Sequence, residues 1–240
     1  PNFLQEVSLN DTTADPLLPL QWHLETDNDA DLDASEAWAV TGGGRRDLVI
    51  AIVDGGVQIS HPDLAANIMA DLAEPLNGLD DNGNGFVDDF AGWDFVSGDR
   101  EASPQSLGDD HGTVVAGLAA AVANNGIGGR GIAYRCRLLP LQVANESKFT
   151  TSETFACALR YAAGYGRDGE RRWHGADVIN MSLGFARSSA VDSALQFASS
   201  NGRNGLGCVI FAASGNQRKA TDALDRVSYP ASHPAVIAVG

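Results

Sequence analysis

The sequence has no run approaching the about eighteen consecutive apolar residues that span a bilayer, so no transmembrane helix is expected. Its opening stretch, PNFLQEVSLN, lacks a basic segment followed by an apolar one, so no signal peptide is read there. If the protein is exported, this would be a processed or trimmed form. Basic residues are scarce. Sixteen Lys and Arg stand against 31 Asp and Glu, and the formal charge of −15 argues against a nucleic-acid partner, because neutralising phosphates takes clustered cations. Cysteine is limited to Cys136, Cys157 and Cys208, which form neither a disulfide framework nor a CxxC pair. Cys157 and Cys208 lie inside apolar runs and read as small core residues. Internal repeats and low-complexity tracts are absent as well.

What is present is a chain of 240 residues, 44% hydrophobic, long enough for one large α/β domain. Residues 1–46 are mixed and turn-rich, with a short helix expected at 34–40, and read as an arm packing on the main unit, 47–240. LVIAIVD (48–54) is a continuous apolar run, as in a strand buried on both faces. HGTVVAGLAAAVA (111–123) reads as a close-packed helix, and RLLPLQVA (137–144) as a strand that Pro140 weakens. SETFACALRYAAGYG (152–166) begins with a Ser cap and ends in Gly, as helices do. ADVINMS (176–182), GCVIFAAS (207–214) and AVIAVG (235–240) are strands, with a helix at 190–200. Alternation of this kind predicts an α/β fold: one doubly wound, mainly parallel sheet with helices on both faces, incomplete on its C-terminal side.

Ligands of such sheets bind beyond the carboxyl ends of the strands. Three predicted strands deliver polar groups there, namely Asp54, Ser182 and Ser214-Gly215-Asn216, and a helix opening at His111 adds an imidazole. An Asp can hold an imidazole in one tautomer, and the imidazole then acts as a general base. An Asn on a glycine-rich loop can donate its amide to a developing oxyanion. This is the apparatus of acyl transfer to a serine, in the chain order Asp, His, Ser.

Four blocks carry a family resemblance: VDGGVQISHPDL (53–64), HGTVVAGLAAA (111–121), INMSLG (179–184) and AASGN (212–216). In this order they resemble the subtilisin-like serine proteases. DPLLPLQWHL (15–24), AVANNGIGGRGIAY (121–134) and GRNGLGCVIFAASGN (202–216) lean towards the kexin/furin-like branch, whereas YPASHPAVIAVG (229–240) is similar to bacterial members. The resemblance implies Asp54 as the triad Asp, His111 as the base and Asn216 as the oxyanion donor. It also implies that Ser182, Leu183 and Gly184 pair with substrate backbone and line the pocket before the scissile bond. Two departures stand out. Gly55 replaces the Ser, Thr or Asp that commonly follows the catalytic Asp, and the Gly-Thr-Ser block of the nucleophile occurs nowhere in the sequence. By the family mechanism this polypeptide alone would not hydrolyse peptides. A shortened chain, a nicked enzyme whose second chain carries the Ser, or a sequence holding part of a molecule would each explain it. The rival reading is a non-catalytic, calcium-binding pseudo-protease that binds peptides along 182–184.

Calcium is the expected cofactor, with two or more structural ions. Between Asp71 and Asp110 there are eleven Asp or Glu and one base, Arg100, a density that suits a hard cation. AVANNGIGGRG contains G-x-G-x-x-G at Gly126, Gly128 and Gly131, but it follows a helix and opens a strand, the reverse of a dinucleotide fingerprint. The family resemblance implies instead a calcium held by Asp15, Asp63, the Asn125 side chain and the carbonyls of Val122, Ile127 and Gly129. A second site is read from DDNGNGFVDDF (80–90), in which Asp80, Asn82, Asn84, the carbonyl of Phe86 and Asp88 match the first part of an EF-hand loop. Its last position is Ala91 rather than Glu, so Asp88 or Asp89 would close the shell. After the Ser-x-Gly segment stand Phe185-Ala186-Arg187, where furin-like enzymes place acids, which argues against strict dibasic selection. Asp222 and Asp225 remain as a candidate acidic wall or a further calcium site, and Asp109 and Asp110 beside His111 as groups that would favour a basic substrate residue. Export is implied only by the family and by the calcium demand.

Overall fold

The computed structural model describes residues 15–26, 30–71, 73–106, 108–146, 148–216 and 227–240. A short helix, α1 (Ala34–Thr41), precedes β1 (Val49–Asp54), β2 (Trp93–Asp94), α2 (His111–Ala120) and β3 (Arg137–Gln142). A small antiparallel ribbon of β4 (Ala144–Asn145) and β5 (Lys148–Phe149) follows. The chain continues through α3 (Ser152–Ala162), β6 (Val178–Met181), α4 (Ser189–Gly205), β7 (Val209–Ala213) and β8 (Ile237–Val239). The main sheet has the order β2-β3-β1-β6-β7-β8, and every neighbouring pair is parallel. The predicted α/β architecture is therefore present, and all six carboxyl ends share one edge.

Strand periodicity sorts the side chains onto two faces. Val49, Ala51, Val53, Leu139, Leu141, Ile179 and Ile210 face α3 and α4, where they meet Phe155, Leu159 and Leu195. Each Leu, Ile or Phe fully buried this way stabilises the fold by about 1.5–3 kcal/mol over leaving it exposed. Ile52 and Leu138 point the other way, against Ala116 and Ala120 of α2. The small residues of α2 let it lie close to β1: a Cβ on Gly112 would stand 2.3 Å from the Gly56 carbonyl oxygen. Beyond α2 this second face is open. Val209, Ile237 and Val239 are 37%, 50% and 53% exposed, and β8 is an edge strand.

Pro140 does not break β3. Its carbonyl points towards Gly92, where an added Cβ would stand 2.0 Å from that oxygen, and a residue's N–H lies on the same side as its C=O. The missing donor therefore falls where β2 has not yet begun, and pairing with β1 is intact at Ile52. The cap of α3 also differs from expectation. Thr151, not Ser152, accepts from the Thr154 amide, because Thr151 has the extended backbone a cap needs (φ −69°, ψ 164°) and Ser152 is already helical.

Candidate active site

Asp54 is the last residue of β1 and His111 the first of α2. The imidazole Nδ1 lies 2.7 Å from Asp54 Oδ1. A carboxylate only accepts, so the shared hydrogen sits on Nδ1 and Nε2 is left free. The Asp54 side chain is buried, at 4% exposure, while that of His111 is 62% exposed. Asp54 Oδ1 also accepts the Gly55 amide at 2.7 Å. Glycine is required around this pair: Gly56 has φ +103°, and a Cβ on Gly112 would stand 3.0 Å from Asp54 Cβ. Space beside Gly55 is open, with Ala144 O at 3.9 Å the nearest atom to an added Cβ. A buried carboxylate thus orients an imidazole whose second nitrogen faces outwards, the arrangement of a general base.

The other predicted groups reach the same edge. Ser182-Leu183-Gly184 follows β6, adjacent to β1, and Asn216 follows β7, one strand further on. These strands stand about 5 and 10 Å from β1. Asn216 is exposed and makes no hydrogen bond to the Asp54–His111 pair. The preceding Gly215 has φ +110°, and a Cβ there would meet Ser228 Oγ at 2.2 Å, so the loop depends on glycine. Beside Gly184 opens a cleft of about 670 Å³ lined by Phe149, Thr150, Phe185, Ser228 and Tyr229. Phe185 stacks on Phe155 at 4.5 Å, and Phe149 meets it edge-on at 6.0 Å. Among its lining residues this cleft has no acid. Asp222 and Asp225 lie outside the described residues. Asp110 precedes α2 without capping it through its side chain, and Asp109 accepts from Ser106 Oγ at 3.3 Å.

Of the two calcium candidates, the loop after α2 gathers its residues from three segments. Asp15 is fully buried and accepts the amides of Asn124 at 2.8 Å and Asn125 at 3.1 Å. Asn125 Nδ2 donates to Asp63 Oδ1 at 2.8 Å, and Gly128 packs so closely that a Cβ would stand 2.3 Å from Asp63 Oδ2. Burial pushes the Asp63 carboxyl up, the Asn125 hydrogen bond opposes this, and the nearby Asp15 charge adds to it. Among the described residues, the carbonyls of Val122, Ile127 and Gly129 accept no backbone hydrogen bond. Two carboxylates, an amide and unengaged carbonyls fit a hard cation. Arg130 already places its Nε 3.1 Å from Asp15 Oδ2, so part of the negative charge is met by a guanidinium.

In the acidic loop, Asp80 accepts the amides of Asn84 and Gly85 at 3.0 and 2.8 Å, and Asn82 Oδ1 also accepts from Asn84. Phe86 buries its ring completely, against Trp93 and Tyr161. Asp88 is engaged elsewhere. Its Oδ1 accepts from Asn77 and Gly78 and its Oδ2 from Arg100 at 2.9 Å. These contacts, the Gly78 amide foremost, hold its carboxyl below the usual range against the opposing effect of desolvation. Asp89 bonds Tyr161 Oη at 2.6 Å and Asn84 Nδ2 at 2.7 Å, and burial pushes it up to about 6. Glu74 was not picked out by sequence reasoning. It is fully buried and takes the amides of Asp81, Asn82 and Asp88. Nothing in its Pro-flanked turn marks it, since its partners are backbone groups. No group of three or more His, Cys, Asp or Glu placed to hold a metal ion by themselves occurs among the described residues, so both candidates depend on carbonyl and amide oxygens.

The subtilase family model matches residues 45–240. The chain belongs to the subtilase family. It is 35% identical to thermitase of Thermoactinomyces vulgaris over 87% of this chain and 59% of that protein. To furin of Rattus norvegicus it is 31% identical over 90% of this chain and 24% of that one. A solved structure of proteases from Pseudoalteromonas arctica superposes with a TM-score of 0.64 at 29% identity, covering 85% of this chain and 59% of that one. The subtilase thus spans about three fifths of thermitase and a quarter of furin. Likeness to both agrees with the mixture of bacterial and furin-like blocks. Within this subtilase the three cysteines are free, Cys136 and Cys208 are buried, and burial pushes the Cys208 thiol up to about 12. Cys208 lies in the main core and Cys157 packs against it.

Proposed function

We propose that this subtilase chain supplies the Asp–His pair and the oxyanion donor of a calcium-stabilised serine endopeptidase. The observation that carries the reading is the 2.7 Å contact between buried Asp54 and the exposed imidazole of His111 at the carboxyl edge of the sheet. In this mechanism His111 Nε2 removes the proton from a serine hydroxyl as that oxygen attacks the scissile carbonyl. Asp54 fixes the tautomer and stabilises the imidazolium. Asn216 donates its amide to the oxyanion, and the imidazolium returns the proton to the leaving amine. Substrate runs as a strand along Ser182, Leu183 and Gly184. With Phe185-Ala186-Arg187 following this segment, the neighbouring cleft is apolar and strict dibasic selection is disfavoured.

The nucleophile stands on a C-terminal segment outside this sequence, continuous with it or a second chain. Calcium, where bound, supplies rigidity. Asp15, Asp63, Asn125 and the carbonyls of Val122, Ile127 and Gly129 would hold one ion and tie the N-terminal arm down. Asp80, Asn82, Asn84 and the Phe86 carbonyl would hold another. The engagement of Asp88 by Arg100 makes it an outer partner of that second ion. Export follows from this demand, since calcium is abundant outside the cell.

Denaturing mass spectrometry of the active material, with a fluorophosphonate serine probe, tests the proposal. The label is expected on a Gly-Thr-Ser segment beyond residue 240 or on a companion chain. In that assembly Asn216→Ala lowers turnover by about two to three orders of magnitude. Unchanged turnover sinks the assignment of Asn216. Peptide binding without labelling or cleavage would favour the non-catalytic scaffold, which the missing Gly-Thr-Ser block also allows.

A further inference from the structure

Asp54 has an unmet requirement. Oδ1 accepts from both His111 Nδ1 and the Gly55 amide, whereas Oδ2 is buried with no donor. Two of the residues nearest the carboxylate, Gly55 and Gly112, have no side chain to offer. The side chain that remains is on the next strand. Gln142 ends β3 and is the direct register partner of Asp54.

Parity puts the two on one face. Ile52 and Leu138 contribute to the core under α2, and Asp54 and Gln142 lie two and four residues further along the same strands. In-register neighbours of adjacent strands stand about 5 Å apart. Gln142 is fully buried, and its carboxamide carbon lies 3.1 Å from where a Cβ on Gly56 would be, directly under the turn that carries Asp54. One amide hydrogen is directed to Ala144 O at 3.3 Å. The other has no acceptor among the described residues, and Oε1 is itself buried without a partner. Asp94, the register partner on the far side, already receives the amides of Val96 and Ser97 at 2.6 and 3.1 Å.

We propose that Gln142 is the positioning residue of Asp54: its second amide hydrogen is given to Oδ2, which fixes the carboxylate plane so that Oδ1 meets His111. Gln142 touches no substrate and acts through Asp54, and the proposal rests on the protease reading of the Asp54–His111 pair. Burying a carboxylate with one oxygen unpaired is costly, and a neutral donor meets that need without neutralising the charge the imidazolium requires.

Proton NMR of the protein tests this without requiring turnover. In the unaltered chain, one carboxamide proton of Gln142 is expected to shift in step with the His111 titration. A Gln142 resonance indifferent to that titration overturns the proposal. In Gln142→Leu, the Nδ1 proton of His111 is expected to move upfield and exchange with solvent about tenfold faster, corresponding to about 1.4 kcal/mol in an equilibrium. A merely structural glutamine would lower the melting temperature of the Leu variant and leave the Nδ1 proton where it was. If the unaltered protein shows no proton shared between His111 and Asp54, the protease reading fails instead, whatever Gln142 does.

Discussion

Asp54 and Glu74 are both buried carboxylates in one acidic protein, and they are used in opposite ways. Glu74 takes amides from Asp81, Asn82 and Asp88, so its charge is spent on holding a loop in shape. Asp54 accepts one amide on Oδ1 and turns that same oxygen to an imidazole that is 62% exposed. Burial and charge are alike in the two. What separates a structural carboxylate from one suited to chemistry is whether its lone pairs meet fixed backbone groups or a side chain able to carry a proton and open to solvent.

The comparison breaks most readily at Asp54. In an assembly that carries the nucleophile, Asp54→Asn is expected to lower kcat by about four orders of magnitude while leaving the melting temperature nearly unchanged. A large loss of stability with retained kcat would reverse the two roles. Glu74→Ala should do the opposite. It leaves three amides without an acceptor, and denaturant unfolding is expected to show a loss of about 3 kcal/mol or more, with kcat within a few-fold per folded molecule. Calcium sharpens the contrast on the structural side. At about one hundred times its dissociation constant, the ion is expected to add about 2.7 kcal/mol to stability, and chelation should reverse this. Calorimetric titration showing no binding tighter than about millimolar would remove both proposed ions.

The smallest effect is expected at Asp89, whose carboxyl is pushed up to about 6 from 3.8. Between those values the folded state binds more protons than the unfolded one, so this group's contribution is fully present below 3.8 and is lost as pH rises through about 6. Metal-free protein should therefore melt at a lower temperature at pH 7 than at pH 5 relative to Asp89→Asn. An identical pH slope in the variant would show that Asp89 does not titrate in this range.

Much of the frame was legible in the linear pattern. Apolar runs of strand length alternating with capped helices predicted the parallel sheet, and β1 and β6 to β8 lie inside the predicted segments. The blocks around Asp54 and His111 were legible because the chemistry constrains consecutive residues: Gly56 and Gly112 must be glycine for the two elements to approach. β3 likewise lies inside the predicted 137–144 in spite of Pro140, whereas the displaced cap at Thr151 was not legible, since it depends on a backbone dihedral.

By itself the sequence determined the fold class and the family and marked Asp54 and His111 as the candidate pair, because those rest on local periodicity and on blocks of adjacent residues. Tertiary structure alone decided that Glu74 organises the acidic loop, that Arg130 shares Asp15, that Asp88 is drawn to Arg100, and that Gln142 lies beside Asp54. Those partners are separated by between seven and 115 positions. A hydrogen bond between distant residues leaves no period in the chain. It exists only once strand register and loop closure bring donor and acceptor within reach.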